Sequence, residues 1–309
     1  MNPAVHAWSK LALTPAEPVS VELLKDRRAS HVYRLAGVGP DGSHVIAKRC
    51  PRTNALAEQA IYKRVLRDLP GLSLRYYGLV PDADTDACWM FVEDAAGVPY
   101  SPKSPEHGRL AAEWLARLHT LGPTVADPVG LPDQGPGQYL TYVRSGPERI
   151  RQGLANPALG GDDYAVLDAL VELCAETETL WPRLEAWCAA VASTFVHADL
   201  HAKNIHVSRD GSTLLPYDWE SAGWGPPAID LGLRGLDLEA YRLRVRCVWP
   251  ELTPDGLERL AVAGRLFQLV AHVEWEARGL DAAWLHRPMK HMRYYRSELA
   301  GALRAAEAL

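Results

Sequence analysis

The pattern of secondary-structure signals changes once along the chain, at residues 97–105 (GVPYSPKSP). Before this segment, which is rich in Gly, Pro and Ser, short apolar and aromatic stretches predict strands around one helix. After it, long stretches with apolar residues three and four positions apart predict helices. The sequence therefore predicts an α+β protein with a β-rich first lobe and a larger, mostly helical second lobe.

The first lobe is predicted from short apolar stretches that turn residues separate. Asp41-Gly42 is a common hairpin step and predicts that the strands on either side of it pair. Helical spacing follows the second of these strands. The elements expected here are strands over 31–36, 44–49, 74–80 and 88–92 and a helix over 53–69.

The second lobe is predicted to be helical with one interruption. Short strand-like stretches over 194–198, 204–208 and 213–217 form that interruption. Pro182 is expected to kink or divide the helix over 162–191. The expected helices cover 105–121, 162–191, 228–246, 254–278 and the C-terminal residues. We assign residues 1–96 to a nucleotide-binding lobe and 97–309 to a catalytic and acceptor-binding lobe, with a hinge about 93–100.

Charge, cysteine content and hydropathy narrow the class of protein. The net charge of -5 argues against a nucleic-acid surface as the main partner. The five cysteines are scattered without a CxxC pair, which is typical of free thiols in a reducing compartment, and we expect a cytoplasmic protein. The chain shows neither a signal-peptide pattern nor an apolar run near the ~20 residues that span a bilayer.

Residues 196–220 (VHADLHAKNIHVSRDGSTLLPYDWE) carry three ligand-type side chains, Asp199, Asn204 and Asp218. A hairpin after Asn204 returns the chain and is expected to bring Asp218 close to the loop that holds the other two. Phosphoryl transfer needs Mg²⁺ on oxygen ligands and a carboxylate that accepts the proton of a hydroxyl. Asn204 and Asp218 are candidate Mg²⁺ ligands and Asp199 is the candidate base, although such residues also serve as turn formers and caps.

The motif HADLHAKN at 197–204, followed by DWE at 218–220, resembles the catalytic loop and metal-binding segment of the aminoglycoside phosphotransferase (APH)/choline kinase-like family of small-molecule kinases. The similarity continues through AGWGPP at 222–227 and DL at 230–231. It extends over roughly residues 25–235, while the rest of the chain is similar only in its helical character.

The resemblance implies a protein-kinase-like two-lobed fold that uses ATP, or GTP, with Mg²⁺. It implies that Asp199 is the catalytic base and that His197 holds the loop. It also implies that Asn204 and Asp218 bind Mg²⁺. The chain departs from the family at Ala198, where the family has Gly; because Ala is also small, we expect the loop to accept it.

Lys48 ends a strand-like stretch and resembles the strand lysine that contacts the α- and β-phosphates in kinases. Glu58 lies on an apolar, inward face of the next helix, where a carboxylate needs a partner. We therefore expect a Lys48–Glu58 ion pair, as in the kinase lysine–glutamate pair. Without the downstream motif, both side chains would be interpreted as solvated.

The remaining nucleotide contacts rest on resemblance. The phosphate-covering loop is expected at 27–33 (RRASHVY), where Ser30 and backbone amides contact phosphate although the usual glycines are missing. The hinge is expected to bind adenine through the Glu93 carbonyl and the Ala95 amide. His119 is expected to be structural.

The acceptor is predicted to be the hydroxyl of a small molecule. Residues 161–185 contain seven acidic side chains and one basic one, so a cationic acceptor such as an aminoglycoside or another amino sugar or amino alcohol is one interpretation. A solvated helix face is the other, and we favour it slightly. Neither nucleic acid nor a membrane is expected as a partner, and the chain is expected to be a monomer or homodimer.

Two other functions stay open from the sequence. A protein kinase-like regulator is disfavoured because the chain lacks the Asp-Phe-Gly triplet and the Ala-Pro-Glu segment. A non-catalytic nucleotide-binding module on the same fold is disfavoured because Lys48, Asp199, Asn204 and Asp218 are all present.

Overall fold

The computed structural model describes residues 2–11, 17–27, 30–83 and 85–309, with only the backbone of residue 27. Its helices are α1 Pro3–Ser9, α2 Arg52–Arg64, α3 Pro105–Val125, α4 Pro136–Gly153, α5 Gly161–Thr179, α6 Trp181–Cys188, α7 Ala228–Leu231, α8 Leu238–Val245, α9 Pro254–Ala277 and α10 His286–Glu307. Its strands are β1 Val21–Arg27, β2 Ser30–Leu35, β3 Val45–Pro51, β4 Tyr76–Pro81, β5 Ala87–Glu93, β6 Val98–Pro99, β7 Thr194–Val196, β8 Ile205–Val207, β9 Leu214–Pro216 and β10 Gly223–Gly225.

The chain divides into two compact units. The first comprises the residues up to Ser101 together with Thr124–Ala126 and Leu200–Ala222. The second comprises Pro102–Pro123, Asp127–Asp199 and Gly223–Leu309. The hairpin after the candidate catalytic loop thus belongs to the same compact unit as the N-terminal residues. The predicted lobe boundary after residue 96 stays a prediction.

The first unit contains an antiparallel sheet in the order β1-β2-β3-β5-β4. The predicted hairpin is confirmed: Leu35 pairs with Val45, and Asp41 in the connecting turn has the left-handed backbone conformation that Asp and Gly tolerate (φ 55°). The other predicted strands and the helix of this unit are also present. Strand β1 was not predicted, and its leucines at 23 and 24 are both exposed, so it lacks the alternation by which strands are detected.

Helix α1 packs on this sheet and was also not predicted. Its Trp8 contacts Phe91 with the ring centroids 5.2 Å apart, within a buried cluster that includes Leu35. Pro3 stands in the first turn of the helix, where a backbone N–H would have no acceptor within the helix. The Asn2 side chain caps the same turn by accepting a hydrogen bond from the Ala4 amide.

A smaller sheet of the first unit has the order β6-β8-β9. Strands β8 and β9 form the expected hairpin after Asn204, in which Ile205 pairs with Pro216. The backbone before β6 lies so close to β8 that a Cβ atom on Gly97 would be 2.0 Å from the carbonyl oxygen of Val207. Glycine is therefore required where the hinge segment passes this hairpin.

The second unit is mainly helical. Helices α4, α5, α7 and α10 pack against one another or against the long helix α9, and the ring of Phe267 in α9 lies against Tyr139 and Trp181. Pro182 stands at the start of α6, just after α5 ends, which confirms the predicted division. Helix α4 was not predicted, because its buried apolar residues are few and Gly146-Pro147 lies inside it.

One prediction about this unit was wrong. The single helix over 228–246 is two helices, because the chain turns at Gly235 with φ 77° and a Cβ there would be 2.3 Å from the Pro102 carbonyl oxygen. The three predicted strand-like stretches are present as β7, β8 and β9. Strand β7 pairs with the unpredicted strand β10 in a separate two-stranded sheet.

Within the described residues, no helix has the length and apolar character needed to cross a bilayer.

Candidate active site

Lys48 lies at the centre of an ionic cluster in the first unit. Its ammonium is 2.9 Å from Glu58 Oε2, hydrogen-bonds Asp218 Oδ1, and lies 3.4 Å from Glu220 Oε2. The predicted Lys48–Glu58 pair is therefore present. The nucleotide-binding roles of both residues stay predictions.

The local structure explains how the cluster forms. Lys48 lies in β3, which has neighbours on both sides, β2 and β5, and its side chain is only 12% exposed. Glu58 lies on the buried face of α2, and its second oxygen accepts a hydrogen bond from the Trp219 amide at 3.2 Å. Glu58 thus connects Lys48, through hydrogen bonds, to the turn that follows β9.

The Lys48 cluster contains more acidic than basic side chains. Burial opposes the charge of Lys48, but the three carboxylates around it outweigh this effect and raise its pKa well above 10.5. Burial also raises the pKa of Glu58, more than Lys48 lowers it, and Asp218 adds to the rise. Three carboxylates thus face one ammonium, an arrangement that favours a further cation.

Asn204 and Asp218 lie at the same end of the β8–β9 hairpin. The Tyr217 amide donates to the Asn204 carbonyl oxygen at 3.0 Å, which places Asp218 one residue beyond this closing bond. Asp218 has a left-handed backbone (φ 66°) and Asn204 is 7% exposed. Mg²⁺ prefers oxygen ligands such as carboxylate and side-chain amide oxygens. Asp218 and Asn204 supply both types of oxygen at a cluster with more acidic than basic side chains, so these two residues fit a magnesium site.

The expected nucleotide contacts have a mixed outcome. Ser30 begins β2, and its Oγ is buried and has no hydrogen-bond partner among the described residues. Residues 28 and 29 of the expected phosphate loop lie outside the described residues. At the hinge, Glu93 ends β5, and the Ala95 carbonyl oxygen lies 2.9 Å from His206 Nδ1. No described group accepts a hydrogen bond from the Ala95 amide.

The loop with Asp199 belongs to the second unit, where Asp230 holds it. The amides of His197 and Ala198 donate to the two carboxylate oxygens of Asp230 at 2.8 and 3.0 Å. Ala198 has φ 64°, a left-handed conformation that favours glycine. This conformation gives a physical reason for the glycine that the resemblance implies at this position, and here alanine adopts it.

Asp230 is in turn held by a buried polar network. Its Oδ2 lies 3.2 Å from His119 Nε2, and His119 Nδ1 lies 2.8 Å from the Tyr241 hydroxyl. The Thr194 hydroxyl donates to the His119 carbonyl oxygen at 2.7 Å. His119 is fully buried, in agreement with the expected structural role. Asp230 was noted only as part of the motif, although a carboxylate inside the apolar run AIDLGL indicates a buried partner.

Asp199 has a neighbour that the sequence did not assign. His272 in α9 has Nε2 at 3.4 Å from Asp199 Oδ1. The His272 ring stacks on Tyr295 with centroids 5.5 Å apart and meets Trp275 edge-on at 5.5 Å. Residues 73 positions apart share no local pattern, so no sequence signal indicates this contact.

Glu220 and Asn54 were also missed. Asn54 Nδ2 donates to Glu220 Oε1 at 3.0 Å, and Glu220 also reaches Lys48. The position of Glu220, two residues after Asp218, was the available signal. The acidic stretch in α5 is explained differently: three carboxylates four residues apart are exposed, as the solvated-face interpretation predicts, namely Asp168, Glu172 and Glu176.

The fold and the Lys48–Glu58 pair define a protein-kinase-like protein with a β-sheet unit and a helical unit. Comparison with known families agrees: residues 20–240 match the phosphotransferase enzyme family (APH), and the chain belongs to this family. A search of curated proteins found no match.

Solved structures show the same fold at low sequence identity. A spectinomycin phosphotransferase in complex with ADP and spectinomycin superposes with a TM-score of 0.67 at 11% identity and covers 98% of this chain and 99% of its own. The choline kinase of Cryptosporidium parvum gives 0.63 at 12% identity, with 94% and 89% covered. A choline/ethanolamine kinase family protein from Mesorhizobium loti gives 0.52 at 17% identity, with 98% and 99% covered.

Proposed function

We propose that the chain is an ATP- and Mg²⁺-dependent kinase that phosphorylates a hydroxyl of a small molecule. The observation that carries this proposal is the Lys48 cluster. Glu58 and Asp218 both bind the Lys48 ammonium, in a chain that belongs to the phosphotransferase family. Positioning and charge stabilisation make up most of the catalysis of phosphoryl transfer, and such a cluster serves both.

The nucleotide is proposed to bind on residues of the first unit. Lys48, oriented by Glu58, contacts the phosphates. The Ser30 hydroxyl, which finds no partner in the part of the chain that the structure describes, donates to them. The Glu93 carbonyl and the Ala95 amide contact adenine. Asn204 and Asp218 hold Mg²⁺, which when bound neutralises phosphate charge. The spectinomycin phosphotransferase with the same fold was solved with ADP, which supports a nucleotide here, with GTP as the alternative to ATP.

Asp199 is proposed as the catalytic base. The acceptor hydroxyl donates its proton to the Asp199 carboxylate while its oxygen bonds to the γ-phosphorus, and the bond from that phosphorus to the bridging oxygen breaks to release ADP. The loop must hold Asp199 steadily for this transfer. The bonds from the amides of His197 and Ala198 to Asp230 supply that support.

The acceptor is proposed to be an amino sugar, aminoglycoside or amino alcohol. The proposal follows structures of the same fold, among them a spectinomycin phosphotransferase and a choline kinase. The exposed carboxylates of α5 do not carry it, because water solvates them. Five cysteines without a disulfide support a reducing, cytoplasmic setting, in which an antibiotic-resistance or a metabolic role is possible.

The test is ADP release from Mg·ATP with a panel of aminoglycosides, amino alcohols, sugars and nucleosides. We expect one acceptor class to stimulate turnover. Asp199→Asn should bind ATP as the wild type does and lose turnover by about a hundredfold or more. Asp218→Ala should weaken Mg²⁺-dependent nucleotide binding. Asp255→Asn, an exposed carboxylate in the first turn of α9, is the matched control and should behave as the wild type.

Two results would contradict the proposal. Full turnover in Asp199→Asn would remove Asp199 as the base. Tight Mg·ATP binding without turnover for every acceptor would favour a nucleotide-binding module that does not catalyse transfer.

A further inference from the structure

His272 is a half-buried histidine on the same compact unit as the proposed base. Its Nε2 lies 3.4 Å from Asp199 Oδ1, and the side chains are 15% and 20% exposed. Both groups therefore interact in surroundings that exclude much of the solvent, where a hydrogen bond to a carboxylate is stronger than at an open surface.

Aromatic rings fix the orientation of the His272 imidazole. Tyr295 of α10 stacks on one face at an interplanar angle of 26°, and Trp275 meets the ring edge-on. Tyr142 of α4 in turn contacts Trp275 at 6.1 Å. A ring held from α9 and α10 keeps its Nε2 directed at Asp199 without the entropy cost of ordering a mobile side chain.

We propose that His272 is a positioning residue that holds the Asp199 carboxylate in the orientation in which it accepts the proton of the acceptor hydroxyl. The inference rests on the proposed function, since it assigns a partner to the proposed base. Neutral His272 donates its Nε2–H to Oδ1 and leaves Asp199 basic.

Two substitutions separate hydrogen bonding from packing. His272→Phe keeps a ring on Tyr295 and loses the donor, so kcat should fall about tenfold with the KM for ATP unchanged. His272→Gln keeps an N–H donor that does not titrate, so kcat should stay within about twofold of the wild type. His286→Phe, at an exposed position that begins α10, is the matched control and should retain the wild-type kcat and KM.

Nitrogen-15 nuclear magnetic resonance tests the contact independently of turnover and of the acceptor. In Asp199→Asn, the chemical shift of His272 Nε2 should change relative to the wild type, because its hydrogen-bond partner is no longer a carboxylate. An unchanged shift would overturn the inference even if the enzyme is active. Equal losses of kcat in the Phe and Gln variants would also overturn it, since they would indicate packing alone. If Asp199→Asn retains full turnover, the proposed function fails instead.

Discussion

The Lys48 ammonium is bound by several acidic side chains at once. Its ammonium meets Glu58, Asp218 and Glu220, and its side chain is largely buried. Removal of the ammonium leaves three carboxylates without their common partner. The cost of breaking a buried pair is far larger than that of an exposed one.

Lys48→Met should lower the free energy of unfolding by about 3 kcal/mol at pH 7. The double variant Lys48→Met/Glu58→Gln should recover more than about 1 kcal/mol relative to the sum of the single effects, because it no longer buries a lone carboxylate. Urea denaturation measures both. Arg67→Met, which breaks an exposed pair with Asp68, is the control and should change stability by less than about 0.5 kcal/mol. Additive effects at positions 48 and 58 would contradict the coupling.

Ala198 occupies a backbone conformation that suits glycine. An L-residue pays roughly 1–2 kcal/mol for the left-handed region, while glycine costs about 0.5–1 kcal/mol through the entropy of the unfolded chain. Ala198→Gly should therefore raise the free energy of unfolding by about 0.5–1 kcal/mol, measured by the same denaturation. Ala111→Gly in the buried face of α3 should instead lower it by about 1 kcal/mol or more. A loss of stability in Ala198→Gly would show that the φ angle imposes no strain.

At the residue scale, sequence predicts contacts that follow from a local pattern. Lys48 at the end of a strand and Glu58 on an inward helix face predicted their ion pair when they were taken together with the downstream motif. His272 and Asp230 contact the loop that holds Asp199 through tertiary packing. The contacts span 73 positions for His272 and 32 or 33 positions for Asp230, and no local spacing encodes such separations.

At the scale of elements, a close crossing of two helices places Asp230. Helix α7, which carries Asp230, packs against α9 at Gly264. A Cβ atom on Gly264 would lie 1.7 Å from the Ala228 carbonyl oxygen and 3.0 Å from the Gly232 amide. The two backbones approach so closely that only glycine fits at this position.

Gly264→Ala should therefore force α7 away from α9 and lower the free energy of unfolding by more than about 2 kcal/mol. Gly301→Ala in α10 is the matched control, because its Cβ would have no neighbour nearer than 3.9 Å. That variant should gain about 0.5–1 kcal/mol from helix propensity. Thermal unfolding followed by circular dichroism distinguishes the two. Equal midpoints for both variants would contradict the close crossing.

The period of apolar residues predicted most elements, and the errors have identifiable causes. The predicted helix over 228–246 has good spacing, yet Gly235 turns the chain because Pro102 leaves no room for a side chain. Helix α1 is short and Gly146-Pro147 dilutes the apolar stripe of α4, so neither helix was predicted. The pairing of β7 with β10 joins residues 27 to 31 positions apart, which alternation alone does not specify.

At the scale of the whole molecule, the reactivity of the cysteine thiols depends on whether the protein is folded. Cys50, Cys88, Cys174 and Cys188 are buried and only Cys247 is exposed. Burial raises the pKa of Cys174 and Cys188 to about 12, so almost no reactive thiolate forms on them at neutral pH.

A thiol reagent at pH 8 should therefore label the native protein once, at Cys247, and should label all five cysteines after denaturation. Mass spectrometry of the labelled peptides gives the positions. The protection of Cys174 and Cys188 should persist as pH rises toward about 12 while the fold persists. Rapid native labelling of Cys174 would contradict its burial, and fewer than five sites after denaturation without reductant would indicate a disulfide.

The most direct test of the account is phosphorus nuclear magnetic resonance of Mg·ATP with the enzyme and an acceptor from the most active class. Transfer to a hydroxyl predicts that the γ-phosphate signal is replaced by one phosphomonoester signal and by ADP in equal amounts, and that Asp199→Asn abolishes the change. The appearance of inorganic phosphate in place of a phosphomonoester, or an unchanged spectrum with every acceptor, would contradict the proposal that this chain is a small-molecule kinase.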